Sequence, residues 1–324
     1  MSELKCKVCD SNDWQKIRTY KHRWYFCNEC YSAYAQRKDS YLFTSPLFKV
    51  PINLVDKLLG GRLGSLKADF LKDDELEQDE SIYWSHYSEM LANENELGIF
   101  SEEAESQFRW MEDLGIEWKG KRILCISTGP GIFAAKAAKA ADVVATEYSP
   151  SVVDAMSKHL GLNAIVYDFN SDKLEEVVNG KFDLIFAIGI VNWCADQRSF
   201  IQSITKVLNP NGVVFVQNNT PSLGYILTWQ FMDGMANIWI QNEAFLSLFY
   251  QSGPYKLVGK YNNKYNAYWY RFRNGGWKNK LQVIIRTPFW ILYGGLALLP
   301  WKNLNRKWWS NSYTFALRLD TEDK

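Results

Sequence analysis

The chain has 324 residues, 47% of them hydrophobic, and a formal net charge of +1, so it can bury a full α/β core with appendages and is neither disordered nor globally basic. It shows no internal repeat or low-complexity tract, and nothing in Met1-Ser2-Glu3-Leu4-Lys5 resembles a signal peptide. A cytoplasmic location is the expectation.

In chain order the first signal is a pair of C-x-x-C knuckles, Cys6-Lys7-Val8-Cys9 and Cys27-Asn28-Glu29-Cys30, separated by seventeen residues. That spacing predicts a tetrahedral four-cysteine zinc site, because Trp14, Trp24, Tyr25 and Phe26 are too few apolar groups to hold a module of about 40 residues without a staple. A closed four-thiolate site leaves no open coordination position, so the zinc is expected to be structural. Cys125 and Cys194 stand in apolar strand contexts and read as buried thiols.

Between Asp69 and Glu105 thirteen acidic residues face a single lysine, Lys72, within helices expected around 81–91 and 101–114, the latter stopped by Gly115. The pattern reads as a solvated helical face. The alternative is that Tyr83, Trp84, His86 and Tyr87 belong to a lid over the ligand.

Next come Ile123-Leu124-Cys125-Ile126 and Ser127-Thr128-Gly129-Pro130-Gly131, followed by the helix-forming run Ile132 to Ala138. Strand, glycine turn and helix in this order let backbone N–H groups approach a nucleotide-like ligand, since glycine accepts positive φ and has no Cβ. Val143 to Glu147 predicts a second strand ending on a carboxylate, and Ala164 to Asp168 a third ending on another. Phe182 to Gly189 and Gly212 to Gln217 supply two more strands, with a helix from Asp196 to Leu208 between them. The fold class expected is α/β, a doubly wound Rossmann-like sheet with its ligand across the carboxyl ends of the strands.

From Lys119 to Asn219, with a last strand at Tyr313 to Leu319, the chain resembles the class I S-adenosylmethionine (SAM) dependent methyltransferases. The resemblance implies that SAM is the cofactor. It assigns Ser127, Gly129 and Gly131 to the methionine-binding loop, Glu147 to the ribose hydroxyls, and Asp168 with Phe169 to the adenine. The family usually has an acid where Cys125 stands and a first glycine where Ser127 stands. A dinucleotide-binding reading also fits Gly129-Pro130-Gly131-Ile132-Phe133-Ala134, but it has no general need for Asp168. A four-cysteine module ahead of such a domain is similar to bacterial enzymes that methylate sugars or other small molecules. Those enzymes often carry a histidine where Trp193 stands. Candidate acceptor-side residues are Asn192, Trp193, Asn218 and Asn219 at strand ends, with Tyr83, His86 and Tyr87 from the lid, and no general base is assigned. The signature of N-methylating enzymes is absent after the fourth strand, which favours an oxygen or carbon acceptor.

From Lys256 to Arg318 twelve Lys and Arg occur with no Asp or Glu, leaving 25 basic against 36 acidic residues elsewhere, and the stretch holds six tryptophans. Its centre, Pro288 to Trp301, is too short to span a bilayer, which needs about 20 residues. Such a basic aromatic surface suits anionic lipid at the inner membrane face, a phosphate-bearing lipid-linked acceptor, or RNA; a buried core helix is the competing reading. The organisation expected is a zinc ribbon over 1–38, a helical linker and lid over 39–118, and a methyltransferase domain over 119–324 with a basic aromatic insertion at about 256–312. The expected function is methyl transfer from SAM to a small or lipid-linked, carbohydrate-related acceptor. The alternatives are an RNA methyltransferase and a catalytically degenerate binding module.

Overall fold

A computed structural model describes residues 4–18, 22–37, 91, 98–219, 238–240, 243–263 and 312–320. Tyr83, Trp84, His86 and Tyr87, and the apolar stretch 288–301, lie outside the described residues.

Five strands run parallel: β4 (Arg122–Ile126), β5 (Asp142–Glu147), β6 (Asn163–Val166), β7 (Phe182–Ala187) and β8 (Leu208–Asn219). With β10 (Tyr255–Asn263) and β11 (Ser312–Leu319) they form one seven-stranded sheet in the order β10-β11-β8-β7-β4-β5-β6. The order reverses at β4, as in a doubly wound sheet. β11 lies antiparallel between β8 and β10, which a plain dinucleotide fold lacks.

Strand alternation divides the core into two clusters. Ile123, Cys125, Val143, Ala145, Leu184 and Phe186 face one side, against α1 (Gly98–Asp113), α2 (Ile132–Ala137) and α3 (Pro150–Leu160). Leu124, Ile126, Val144, Ile185, Val214 and Val216 face the other, where α4 (Leu174–Val177), α5 (Gln197–Val207) and α6 (Leu246–Ser252) pack. Near-continuous apolar runs in the central strands follow from this burial on both faces. α5 begins where the Asp196 side chain accepts the Ser199 N–H at 3.1 Å, and its apolar residues Phe200, Ile201, Ile204 and Val207 recur at helical spacing on the buried face.

A second, four-stranded sheet has the order β1 (Trp14–Arg18), β2 (His22–Cys27), β3 (Ala33–Arg37) and β9 (Ile238–Ile240). The N-terminal knuckles and a segment lying about 200 residues further on thus share one sheet, with Ala33 opposite Ile240 and Ala35 opposite Ile238. Cys6, Val8 and Cys27 belong to the same buried cluster as Val191, Cys194 and Phe245, and Arg198 on α5 pairs with Asp10 at 3.5 Å. The cysteine module is packed onto one face of the main sheet.

Two features of the C-terminal stretch differ from the sequence reading. Residues 255–263, where that reading begins the insertion, form the edge strand β10. Two of the twelve positive charges are compensated, because folding brings acids from outside the counted stretch beside them: Lys256 pairs with Asp320 and Lys260 with Glu243. Lys260 also lies 4.4 Å over the Tyr313 ring.

Candidate active site

The chain turns sharply after β4. Ser127, Gly129 and Gly131 all have positive φ, at 48°, 58° and 73°. At Gly131 a Cβ would lie 2.6 Å from the Met156 sulfur, so conformation and space both require glycine. The loop is tied to β5 by three backbone donors: Thr128 N–H to the Thr146 carbonyl at 3.1 Å, Ser127 N–H to the Thr146 hydroxyl at 3.4 Å, and Gly129 N–H to the Glu147 carboxylate at 2.8 Å.

Glu147 is buried, and its other oxygen accepts the Tyr148 N–H at 2.8 Å. Burial pushes its pKa up to about 7, against the opposing pull of those two N–H donors. The loop and this acid therefore form one hydrogen-bonded unit at the carboxyl ends of β4 and β5.

Asp168 follows β6 by two residues. Its carboxylate accepts the Asn170 N–H at 2.9 Å and the Ser171 hydroxyl at 3.0 Å, closing a turn. Each oxygen keeps a further lone pair for an incoming donor. Phe169 stands edge-on to Phe200 at 6.5 Å, partly buried beside the turn.

A cavity of about 180 Å³ opens beside the loop, lined by Cys125, Ser127, Thr128 and Gly129 on one side and by Phe100, Glu103 and Gln107 of α1 on the other. Whole small-molecule sites span about 300–1,000 Å³, so this cavity suits one end of a ligand. The Ser127 hydroxyl is buried and has no hydrogen-bond partner among the described residues. Burial drives the Cys125 thiol upward, so it stays protonated and inert. The sequence groups Glu103 with the solvated acids, yet the residue lines the cavity. The signal lies in Phe100, Glu103 and Gln107, which share one helical face at i, i+3 and i+7.

Across the switch point, Asn192 lies in a 3₁₀ turn (Val191–Trp193) after β7 and is fully buried. Its amide donates to Asn218 at 3.1 Å and its oxygen accepts from Asn219 at 3.4 Å. These carboxamides and the half-buried Trp193 meet at the ends of β7 and β8. His86 lies outside the described residues.

At the other module, the four thiol sulfurs of Cys6, Cys9, Cys27 and Cys30 lie within 4.8 Å of one another, with Cys6 to Cys30 and Cys9 to Cys27 both at 3.5 Å. A tetrahedral zinc with bonds of about 2.3 Å needs sulfurs about 3.8 Å apart. The two knuckles repeat one backbone pattern. Asp10 N–H donates to the Cys6 carbonyl as Tyr31 N–H does to Cys27, Cys6 N–H donates to Ser11 as Cys27 N–H does to Ser32, and Asp10 and Tyr31 both have positive φ. None of the four is in a disulfide. The cluster fits zinc.

Residues 124–216 match a protein-family model described as a methyltransferase domain. The chain is 35% identical over 106 residues to a ribosomal protein L11 methyltransferase of Symbiobacterium thermophilum, covering 32% of this chain and 33% of that protein. It is 29% identical over 101 residues to a ubiquinone biosynthesis O-methyltransferase of Azorhizobium caulinodans, covering 30% of this chain and 40% of that one. The chain thus spans a third to two fifths of the length of these relatives. Among solved structures, a putative sarcosine dimethylglycine methyltransferase from Galdieria sulphuraria superposes with a TM-score of 0.49 at 11% identity, covering 68% of this chain and 86% of that one. The α/β unit is a class I SAM-dependent methyltransferase domain. Its donor in that class is SAM, and the orphan Ser127 hydroxyl and the buried Glu147 carboxylate are a fitting donor and acceptor for it.

Proposed function

We propose that this protein transfers a methyl group from SAM to a small-molecule acceptor carrying a hydroxyl or activated carbon, with a structural zinc in its N-terminal module. The observation that carries the reading is the Gly129 N–H bond to Glu147 at 2.8 Å, which joins the glycine loop to the acid at the end of β5, at the switch point of a methyltransferase-type sheet.

When bound, SAM supplies an electrophilic methyl on a sulfonium, and the reaction needs mainly alignment of acceptor, methyl and sulfur. The Ser127 hydroxyl, on the tight turn that Gly129 and Gly131 shape, would hold the methionine end, Glu147 would accept the ribose hydroxyls, and Asp168 with Phe169 would take the adenine. Asn192, Trp193, Asn218 and Asn219 would face the acceptor. These groups are polar and neutral, which suits a hydroxyl-bearing, carbohydrate-related acceptor. By their names, one relative serves ubiquinone biosynthesis and another acts on ribosomal protein L11, so the acceptor class is wide. No described helix is long and apolar enough to cross a membrane. The basic residues of 264–311 would bring the enzyme to anionic lipid or to a lipid-linked acceptor.

Calorimetry with SAM and NADH tests the donor. Micromolar SAM binding with none for NADH supports the reading, and the reverse overturns it. Product S-adenosylhomocysteine, followed during incubation with sugar nucleotides, quinol precursors, RNA or anionic glycolipid, sorts the acceptors. Turnover on RNA alone would replace the small-molecule reading.

A further inference from the structure

Among the described residues that line the cavity beside the glycine loop, one side chain is charged, Glu103. No hydrogen bond or ion pair reaches its carboxylate from the described residues, although its neighbours on α1 are held firmly. Glu105 pairs with Lys136 of α2 at 2.6 Å, Phe108 packs on Phe133 at 5.0 Å, and the Trp110 carbonyl accepts the Tyr261 hydroxyl at 3.1 Å. A half-buried, unpaired carboxylate in such a place is costly unless a cation joins it. Across the cavity stands Cys125, a buried neutral thiol at the position where the resembled family usually has its acid.

Resting on the SAM reading above, we propose that Glu103 supplies from helix α1 the carboxylate that binds the α-ammonium of the cofactor's methionine moiety, in place of an acid in strand β4 at the position of Cys125. An ammonium brings three N–H donors and a full positive charge, which a carboxylate matches by charge-assisted hydrogen bonds. The size of the cavity suits an amino-acid end, and the Ser127 hydroxyl on the opposite wall offers a donor for the accompanying carboxylate. The sulfonium is the other cationic centre of SAM but has no donor to give. α1 is thereby part of the cofactor site, and its pairing with α2 sets where the ammonium sits.

The test uses the full chain and two ligands without a sulfonium: S-adenosylhomocysteine and its analogue lacking the amino group. Glu103→Gln is expected to weaken S-adenosylhomocysteine about tenfold to a hundredfold, the loss of one charge-assisted hydrogen bond, while leaving the desamino analogue within about threefold. Retained binding of the analogue shows that the variant is folded. Equal affinity of variant and wild type for S-adenosylhomocysteine would overturn the proposal and leave the SAM reading standing. Equal losses for both ligands would also overturn it, since the effect would then be on the site as a whole. If wild-type protein binds neither ligand, both the proposal and the SAM reading fall.

Discussion

The carboxylate of Glu147 at the end of β5 accepts the N–H of Gly129 in the loop after β4, at a distance of 2.8 Å. One buried charge therefore fixes the loop shape and remains a candidate acceptor for the ribose. Glu147→Ala is expected to weaken SAM binding about tenfold to a hundredfold, since a hydrogen bond to a charged group contributes about 1.5–3 kcal/mol. Unchanged affinity by calorimetry would remove this residue from the cofactor site.

The same residue predicts a pH effect on stability. Its folded pKa of about 7 exceeds the ordinary 4.5, so the native state holds the proton more tightly than the unfolded chain. Its contribution is fully present below pH 4.5 and is lost as pH rises towards 7, to an extent of about 3 kcal/mol. Denaturant titrations of wild type and Glu147→Gln at pH 5 and pH 8 isolate it. The variant should lose less stability between the two, and identical slopes would show that Glu147 is not a strained buried acid.

Ser127 holds a left-handed φ of 48° with a buried, unpartnered hydroxyl. Left-handed backbone costs an L-residue about 1–2 kcal/mol, partly offset in a glycine variant by a more flexible unfolded chain. Ser127→Gly should therefore raise the stability of ligand-free protein by about 1 kcal/mol. The shift in melting temperature produced by saturating SAM should shrink, because the hydroxyl that would meet the ligand is gone. A variant less stable than wild type would show that the hydroxyl has a native partner.

Which elements can be read from sequence follows from burial. The central strands β4, β5, β7 and β8 carry apolar runs closed by a glycine turn, an acid or a polar end, and they are legible to within a few residues. Of the two edges, β6 is read as closely, running Asn163–Val166 and ending before Tyr167 and Asp168, but β10, Tyr-Lys-Leu-Val-Gly-Lys-Tyr-Asn-Asn, is not, because its lysines and glycine hide a strand that is covered on fewer sides. Among site residues, Gly129, Gly131 and Glu147 declare themselves through local order. Glu103 does not, because its role depends on which face of α1 turns inward, and the surrounding acids mask that face. The pairing of β3 with β9 is a long-range contact of a three-residue strand and leaves no local trace.

That pairing makes the cysteine module more than an appendage. β9 joins the module's sheet at β3 and also packs beside the turn Val191–Trp193, where Asn192 and Trp193 stand. Zinc in the four-thiolate cluster would stabilise β1 to β3, hence the platform on which β9 lies. Purified protein is expected to contain one zinc per chain by elemental analysis under reducing, chelator-free conditions. Replacing Cys27 and Cys30 by serine should release the metal and raise amide exchange through residues 14–37, with a smaller rise at 191–193, because Cys6, Val8 and Cys27 share a buried cluster with Val191. SAM affinity should stay within about threefold of wild type, since Ser127, Gly129 and Glu147 lie at the ends of β4 and β5 and are held by contacts within the main sheet. Exchange that rises in the module alone, leaving 191–193 unchanged, would show that the module is mechanically separate from the acceptor side. Loss of SAM binding together with the metal would show instead that the zinc supports the whole α/β unit.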